Sequence, residues 1–219
     1  MNAPLSLEEI FNRLLEHFGP LHWWPAETAF EVCVGAILTQ NTAWTNVEKA
    51  ICALKQAGIM TPAALQHCTS ERLAHLIRPA GYFNVKSQRL KDFTGWLFLK
   101  HGGSLEQMFT GNWLELRAEL LSVRGIGPET ADSILLYAGS KPSFVVDAYT
   151  RRLFQRLGRL PGTASYEFTR ALFMDNLPAD VPVFNEYHAQ IVEQCKCFCR
   201  AKPRCSGCPL GDSCPSQDI

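Results

Sequence analysis

The residues best equipped for chemistry lie at the end of the chain. Nine cysteines occur in 219 residues, and six of them, Cys195, Cys197, Cys199, Cys205, Cys208 and Cys214, fall within the last 25. Two residues separate Cys205 from Cys208 and five separate Cys208 from Cys214. In a reducing compartment, thiolates spaced this closely ligate a metal or an iron-sulfur cluster more readily than they pair into disulfides, and spacing alone leaves zinc open. Cys33, Cys52 and Cys68 stand apart in apolar helical stretches and read as small core residues.

A second candidate is the turn Val123-Arg124-Gly125-Ile126-Gly127-Pro128, flanked on both sides by helical patterns. Glycines permit positive φ and close backbone approach, and Pro128 suits the first turn of a helix whose exposed N–H groups then point outward. Such a turn attracts an anion, for which a DNA phosphate is the natural choice, although a plain helix connection also uses glycines. About twenty residues on comes Val145-Val146-Asp147-Ala148-Tyr149-Thr150-Arg151-Arg152. Its aspartate opens a helix, where a carboxylate is favoured as an N-cap in any protein.

The elements that must position these groups are helical. Apolar residues recur at helical spacing almost throughout, and no stretch alternates as a half-buried strand requires. Ser6 and Glu9 form a capping box for a first helix, and Gly19-Pro20 ends it. Further helices are expected over 30–38, 45–57, 61–67, 70–77, 86–101, 113–122, 128–138, 148–157, 165–176 and 185–195. With 47% apolar residues the chain can fill a real core. The most apolar stretch, Ala29 to Leu38, is interrupted by Glu31, and no basic segment leads into an unbroken apolar run. The sequence is therefore read as cytoplasmic, with no membrane span. Net charge is zero, yet between Lys141 and Arg204 ten basic residues face six acidic ones, which polarises the molecule as nucleic-acid binding requires.

Hairpin, aspartate and cysteine tail together resemble the helix-hairpin-helix DNA glycosylases of the endonuclease III superfamily. That resemblance runs from about Phe11 to Cys214 and implies an all-α, two-lobed fold with a C-terminal iron-sulfur cluster loop. It places a helical barrel with the hairpin at 22–135 and a cluster domain at 1–21 plus 136–219, with the DNA cleft between them. By this match Asp147 is the catalytic aspartate, Gly125 and Gly127 hold the DNA backbone, and Arg151 joins the DNA contacts. The family's 4Fe-4S loop has the same two- and five-residue gaps and the same Lys202-Pro203-Arg204 approach to the second ligand. The commoner spacing puts six residues between the first two ligands, whereas Cys199 leaves five here and Cys197 leaves seven. Cys199, Cys205, Cys208 and Cys214 are taken as ligands of a 4Fe-4S cluster, with Cys197 in reserve and Cys195 as a bystander. The cluster is read as structural, presenting Lys202 and Arg204 to phosphates.

Strand-nicking members carry a lysine two residues beyond the second glycine, and this chain has Glu129 there, which cannot form a Schiff base. Leu21-His22-Trp23-Trp24-Pro25, followed by Gly35 to Trp44 with Gln40-Asn41-Thr42, is similar to the 3-methyladenine DNA glycosylase III branch. By that match Trp24 and Trp44 stack on a flipped base with Trp23 nearby, and Glu129 borders the pocket. An aromatic face attracts a cationic alkylated purine more than a normal base. Gln40 aligns with the residue that fills the vacated stack, and Tyr82 with the wedge that splits the opposite strand. The resemblance thus implies a monomeric, monofunctional glycosylase that acts on damaged double-stranded DNA to remove alkylated purines. Its rivals are a bifunctional glycosylase and AP lyase for oxidised pyrimidines, an adenine-mismatch glycosylase, and a non-catalytic DNA-binding iron-sulfur module.

Overall fold

The computed structural model describes residues 5–217. In chain order the α-helices are α1 (Leu7–Phe18), α2 (Ala29–Leu38), α3 (Trp44–Gln56), α4 (Pro62–His67), α5 (Ser70–Leu76) and α6 (Phe83–His101). They continue as α7 (Leu105–Met108), α8 (Trp113–Ser122), α9 (Pro128–Ser133), α10 (Ala148–Arg156), α11 (Tyr166–Met174) and α12 (Val181–Cys197). No strand occurs among the described residues, so the fold is all-α. None of these helices is long and apolar enough to cross a membrane.

The chain divides into two compact units, a central one over Ala26–Lys141 and a terminal one made from the chain up to Pro25 and from Pro142 onward. In the central unit α2 is buried along Phe30 to Leu38, apolar on every side except for Glu31, whose carboxylate pairs with Lys55 at 2.8 Å. Around it pack Val47, Ile51 and Leu54 of α3, Leu90, Phe93 and Leu97 of α6, Leu116 and Leu120 of α8, and Ile134 and Leu135. A helix apolar all round belongs at the centre of a core, and the others present one apolar stripe to it.

In the terminal unit the core is aromatic. Phe144 stacks on Phe173 with ring centroids 3.8 Å apart and meets Phe184 and Tyr187 edge-on. The Tyr187 hydroxyl donates to the Leu7 carbonyl at 2.8 Å, which ties α1 to α12 and satisfies the one polar atom of a buried ring.

The helix starts are written locally. The Ser6–Glu9 capping box forms in both directions, at 2.7 and 3.1 Å. Thr28, Thr61, Thr69, Ser104, Asn112, Ser165 and Asp180 each accept a first-turn N–H. Asp180 with Pro182 starts α12 four residues before the expected Asn185, and the Ser104 cap makes α7 where no helix was expected. The expected 128–138 helix is two pieces, α9 followed by a π turn at Ile134–Ala138. Cys33 is a core residue as read, but Cys52 is exposed, because it falls outside the face that α3 buries through Val47, Ala50, Ile51 and Leu54.

Candidate active site

In the terminal unit, Asp147 is the N-cap of α10. Its Oδ1 accepts the Thr150 backbone N–H at 2.7 Å and the Thr150 hydroxyl at 2.9 Å. Its Oδ2 lies 3.6 Å from Nε2 of His188, a buried residue of α12. Only 15% of the Asp147 side chain is exposed. Burial pushes the carboxyl up, but the nearby His188 imidazole and the two Thr150 bonds outweigh it, and the group is held below the usual aspartate range. The helix N-terminus favours the same ionised form.

Along its length α10 is bolted to the cysteine loop. Arg152 Nε donates to the Cys199 carbonyl at 2.7 Å, and Arg156 reaches the Cys199 sulfur at 3.3 Å and the Arg200 carbonyl at 2.6 Å. Cys199, Cys205, Cys208 and Cys214 line one cavity, together with Leu153, Arg156, Leu157 and Gln194. Gln194, fully buried, donates its amide to Cys208 at 3.0 Å. The Cys199 thiol is drawn well below its ordinary value, first by a hydrogen bond from Cys195 and then by Arg156 and Arg152. Cys197 does not line the cavity; it is exposed and sits 3.3 Å from Glu193. Lys202 and Arg204 are exposed on the loop.

Among the described residues no three His, Cys, Asp or Glu side chains are disposed to hold a single metal ion. A four-iron cluster makes a different demand, because each thiolate takes its own iron and the sulfurs stand farther apart than around one ion. Four thiols facing one cavity, with guanidinium and amide donors on two sulfurs, suit a cluster of net negative charge.

The segment leading to the tryptophans docks on the same α12. The Leu21 N–H donates to Glu186 at 2.9 Å and Gln190 donates to the Gly19 carbonyl at 2.7 Å. Trp23 and Trp24 meet edge-to-face at 5.7 Å, with the Lys196 ammonium 5.3 Å from the Trp23 ring centre. Residues 22–25 thereby join the terminal unit, a few residues from the expected limit, while Trp44 belongs to the central unit.

In the central unit, Trp44 opens α3 and its indole N–H donates to Glu48 at 2.8 Å. Gln40 is committed to the hairpin: its amide N–H groups donate to the Gly125 carbonyl at 3.0 Å and to Thr130 at 2.9 Å, while Arg89 donates to its amide oxygen. The two glycines differ. Gly125 has φ +86°, and a Cβ there would fall 2.5 Å from Cγ of Arg89, so the position needs glycine on both counts. Gly127 has φ −93° and open space around it, a conformation any residue adopts, so positive φ does not explain it. The hairpin is braced by Arg117, whose Nε and other guanidinium nitrogen contact the two carboxylate oxygens of fully buried Asp132 at 2.7 and 2.9 Å. Glu129 is exposed on the first turn of α9, and Arg151 is half-buried on α10.

Tyr82 is 73% exposed and sits at φ +44°, a strained setting for a bulky residue. Beneath it, sequence reasoning missed Lys86, whose buried ammonium donates to Leu38 and Ala80 carbonyls at 2.8 Å each and to the Thr42 hydroxyl at 2.5 Å. One ammonium thus joins the turn after Gln40 to the turn before Tyr82. Its signal was present, since Lys86 shares helical spacing with buried Leu90, Phe93 and Leu97. His188 likewise sits on the buried stripe of Phe184, Tyr187 and Ile191.

This fold is that of the helical DNA glycosylases. Endonuclease III, in a trapped covalent intermediate with DNA, superposes with a TM-score of 0.83 over 97% of each chain at 22% identity. The model of the HhH-GPD superfamily, base excision DNA repair proteins, matches residues 34–179, and the chain belongs to that family. A Methanocaldococcus jannaschii protein assigned by name to the DNA repair glycosylases is 49% identical over 95% of this chain and 96% of its own. Endonuclease III of Thermotoga maritima is 29% identical over 95% and 92%. The 3-methyladenine DNA glycosylase MagIII of H. pylori, solved with 1,N6-ethenoadenine, gives a TM-score of 0.75 at 30% identity over 88% of this chain and 98% of that one. The chain is a DNA-binding glycosylase of base excision repair.

Proposed function

We propose that this glycosylase removes alkylated purines such as 3-methyladenine and leaves the DNA strand intact. The observation that carries the reading is Glu129, an exposed carboxylate two residues past Gly127, where a strand-nicking relative would present an amine. A carboxylate cannot form an imine with the sugar, so water is the nucleophile. The indole faces of Trp23, Trp24 and Trp44 suit a cationic, electron-poor base.

The lesion is extruded and its N-glycosidic bond lengthens, placing positive charge on the sugar. Ionised Asp147 stabilises that charge, orients water and accepts its proton. The base departs with the electron pair of the broken bond, and because it began cationic it leaves neutral without a strong acid. Tyr82 would enter the stack, and Gln40 would do so by exchanging its hairpin bonds for DNA contacts, while Gly125, Gly127, Arg151, Lys202 and Arg204 would grip phosphates. Cys199, Cys205, Cys208 and Cys214 would hold a 4Fe-4S cluster, which when bound supplies a structural tie for the loop carrying those two cations.

The test is release of free base from duplex DNA treated with a methylating agent, with strand integrity followed in the same samples. Replacing the carboxylate by an amide removes about 4 kcal/mol of charge stabilisation at ~4 Å and an effective dielectric near 20, so Asp147→Asn is expected to slow release about 1000-fold. Cleavage of oxidised-pyrimidine DNA with a borohydride-trapped adduct, and no methylated purine released, would refute the reading in favour of a lyase.

A further inference from the structure

Asp147 does more than an N-cap requires. A capping aspartate needs one oxygen on the first-turn N–H groups, and Oδ1 meets that need through both bonds to Thr150. The second oxygen is turned instead to a histidine that is 5% exposed, in the interior of α12. Burying an imidazole against a carboxylate costs desolvation of both, and a purely structural cap gains nothing from it. Two helices fix the contact from opposite sides: α10 carries the carboxylate at its first turn, and α12 holds the ring within a stripe of Phe184, Tyr187 and Ile191. Cys195, also on α12, lies within electrostatic reach of Asp147 as well.

We propose that His188 is a positioning residue for excision: it holds Oδ2 of Asp147 from α12, so that the carboxylate is correctly turned before DNA arrives. His188 acts through Asp147 and touches no substrate atom. This rests on Asp147 being the carboxylate that serves the reaction. The low setting of the Asp147 carboxyl despite its burial, with His188 the largest of the influences that lower it, accords with the geometry.

The experiment compares the full-length, iron-loaded wild type with His188→Ala, His188→Gln, Asp147→Asn and the Asp147→Asn/His188→Ala double variant. Single-turnover base release and DNA affinity are measured for each, with thermal unfolding as a check on the fold. Loss of this polar contact, which would shorten to a charge-assisted hydrogen bond as the sugar becomes positive, is expected to slow release by His188→Ala about 10- to 100-fold, with DNA affinity unchanged within about twofold. Glutamine, whose amide can donate to Oδ2, is expected to recover most of the rate. In the Asp147→Asn background the alanine change is expected to cost nothing further, since its route is already cut. A wild-type rate for His188→Ala, no recovery by glutamine, or a further loss in the double variant overturns the proposal. Full activity of Asp147→Asn would instead overturn the reading of Asp147 on which it stands. Should His188→Ala fail to fold, nitrogen NMR of the His188 ring in wild type and Asp147→Asn decides the matter, because an Nε2 signal that ignores the carboxylate excludes the contact.

Discussion

Gly125→Ala tests how the hairpin is built. The position has φ +86°, which costs an L-residue ~1–2 kcal/mol. The new Cβ would also lie 2.5 Å from Cγ and 2.8 Å from Cδ and Nε of Arg89, so that stem must swing away. Moving it withdraws the donor from the Gln40 amide oxygen, a bond to a charged group worth ~1.5–3 kcal/mol. Together these predict a loss of about 2.5–5 kcal/mol, smaller if the flexible Arg89 finds a second partner. Urea unfolding with an unchanged slope gives the number, and hydrogen exchange of the α9 amides shows where it falls. The Arg89 share can be isolated by making Gly125→Ala in an Arg89→Ala background, where only the backbone strain of about 1–2 kcal/mol is left. As a control, Gly127→Ser at φ −93° with open space is expected to stay within ~0.5 kcal/mol, because serine is a favoured N-cap. Equal costs for Gly125→Ala in both backgrounds, or a Gly127→Ser as damaging as Gly125→Ala, would refute the reasoning.

Two other expectations follow from the terminal unit. If the four cavity-lining thiols hold the cluster, Cys199→Ser is expected to lower bound iron and bleach the visible sulfur-to-iron absorption, while Cys197→Ser leaves both unchanged; iron assay and absorption spectra of the purified proteins check this. Because the folded Asp147 carboxyl is held below its ordinary value, it contributes stability that is fully present above the unfolded aspartate value and lost as pH falls through the folded one. Urea midpoints measured from neutral pH downward should therefore fall more steeply in acid for the wild type than for Asp147→Asn, which keeps the cap but cannot titrate.

What was legible in the sequence was local. Ser6 with Glu9 dictates a helix start because a cap and its N–H are three residues apart in any fold; Asp180 with Pro182 obeys the same rule, yet the start of α12 was read four residues late. The apolar spacing of α2 and α6 announced buried helices, and the gaps among Cys205, Cys208 and Cys214 announced a thiol cluster, because a short loop can bring such residues together by itself. Gly125 was singled out for the right reason, but its neighbour Gly127 shared the pattern without the positive φ, since backbone angles at a glycine are set by what packs around it.

Tertiary structure decided the rest, wherever the partner is remote in sequence. Gln40 meets its hairpin partners 85 and 90 residues away, Lys86 reaches a carbonyl 48 residues back, and His188 meets Asp147 from another helix. Periodicity could mark Lys86 and His188 as polar residues on buried stripes, but it could not say which acceptor each would satisfy. That choice belongs to packing, because a buried polar group must be paired, and only the three-dimensional arrangement of helices determines with whom.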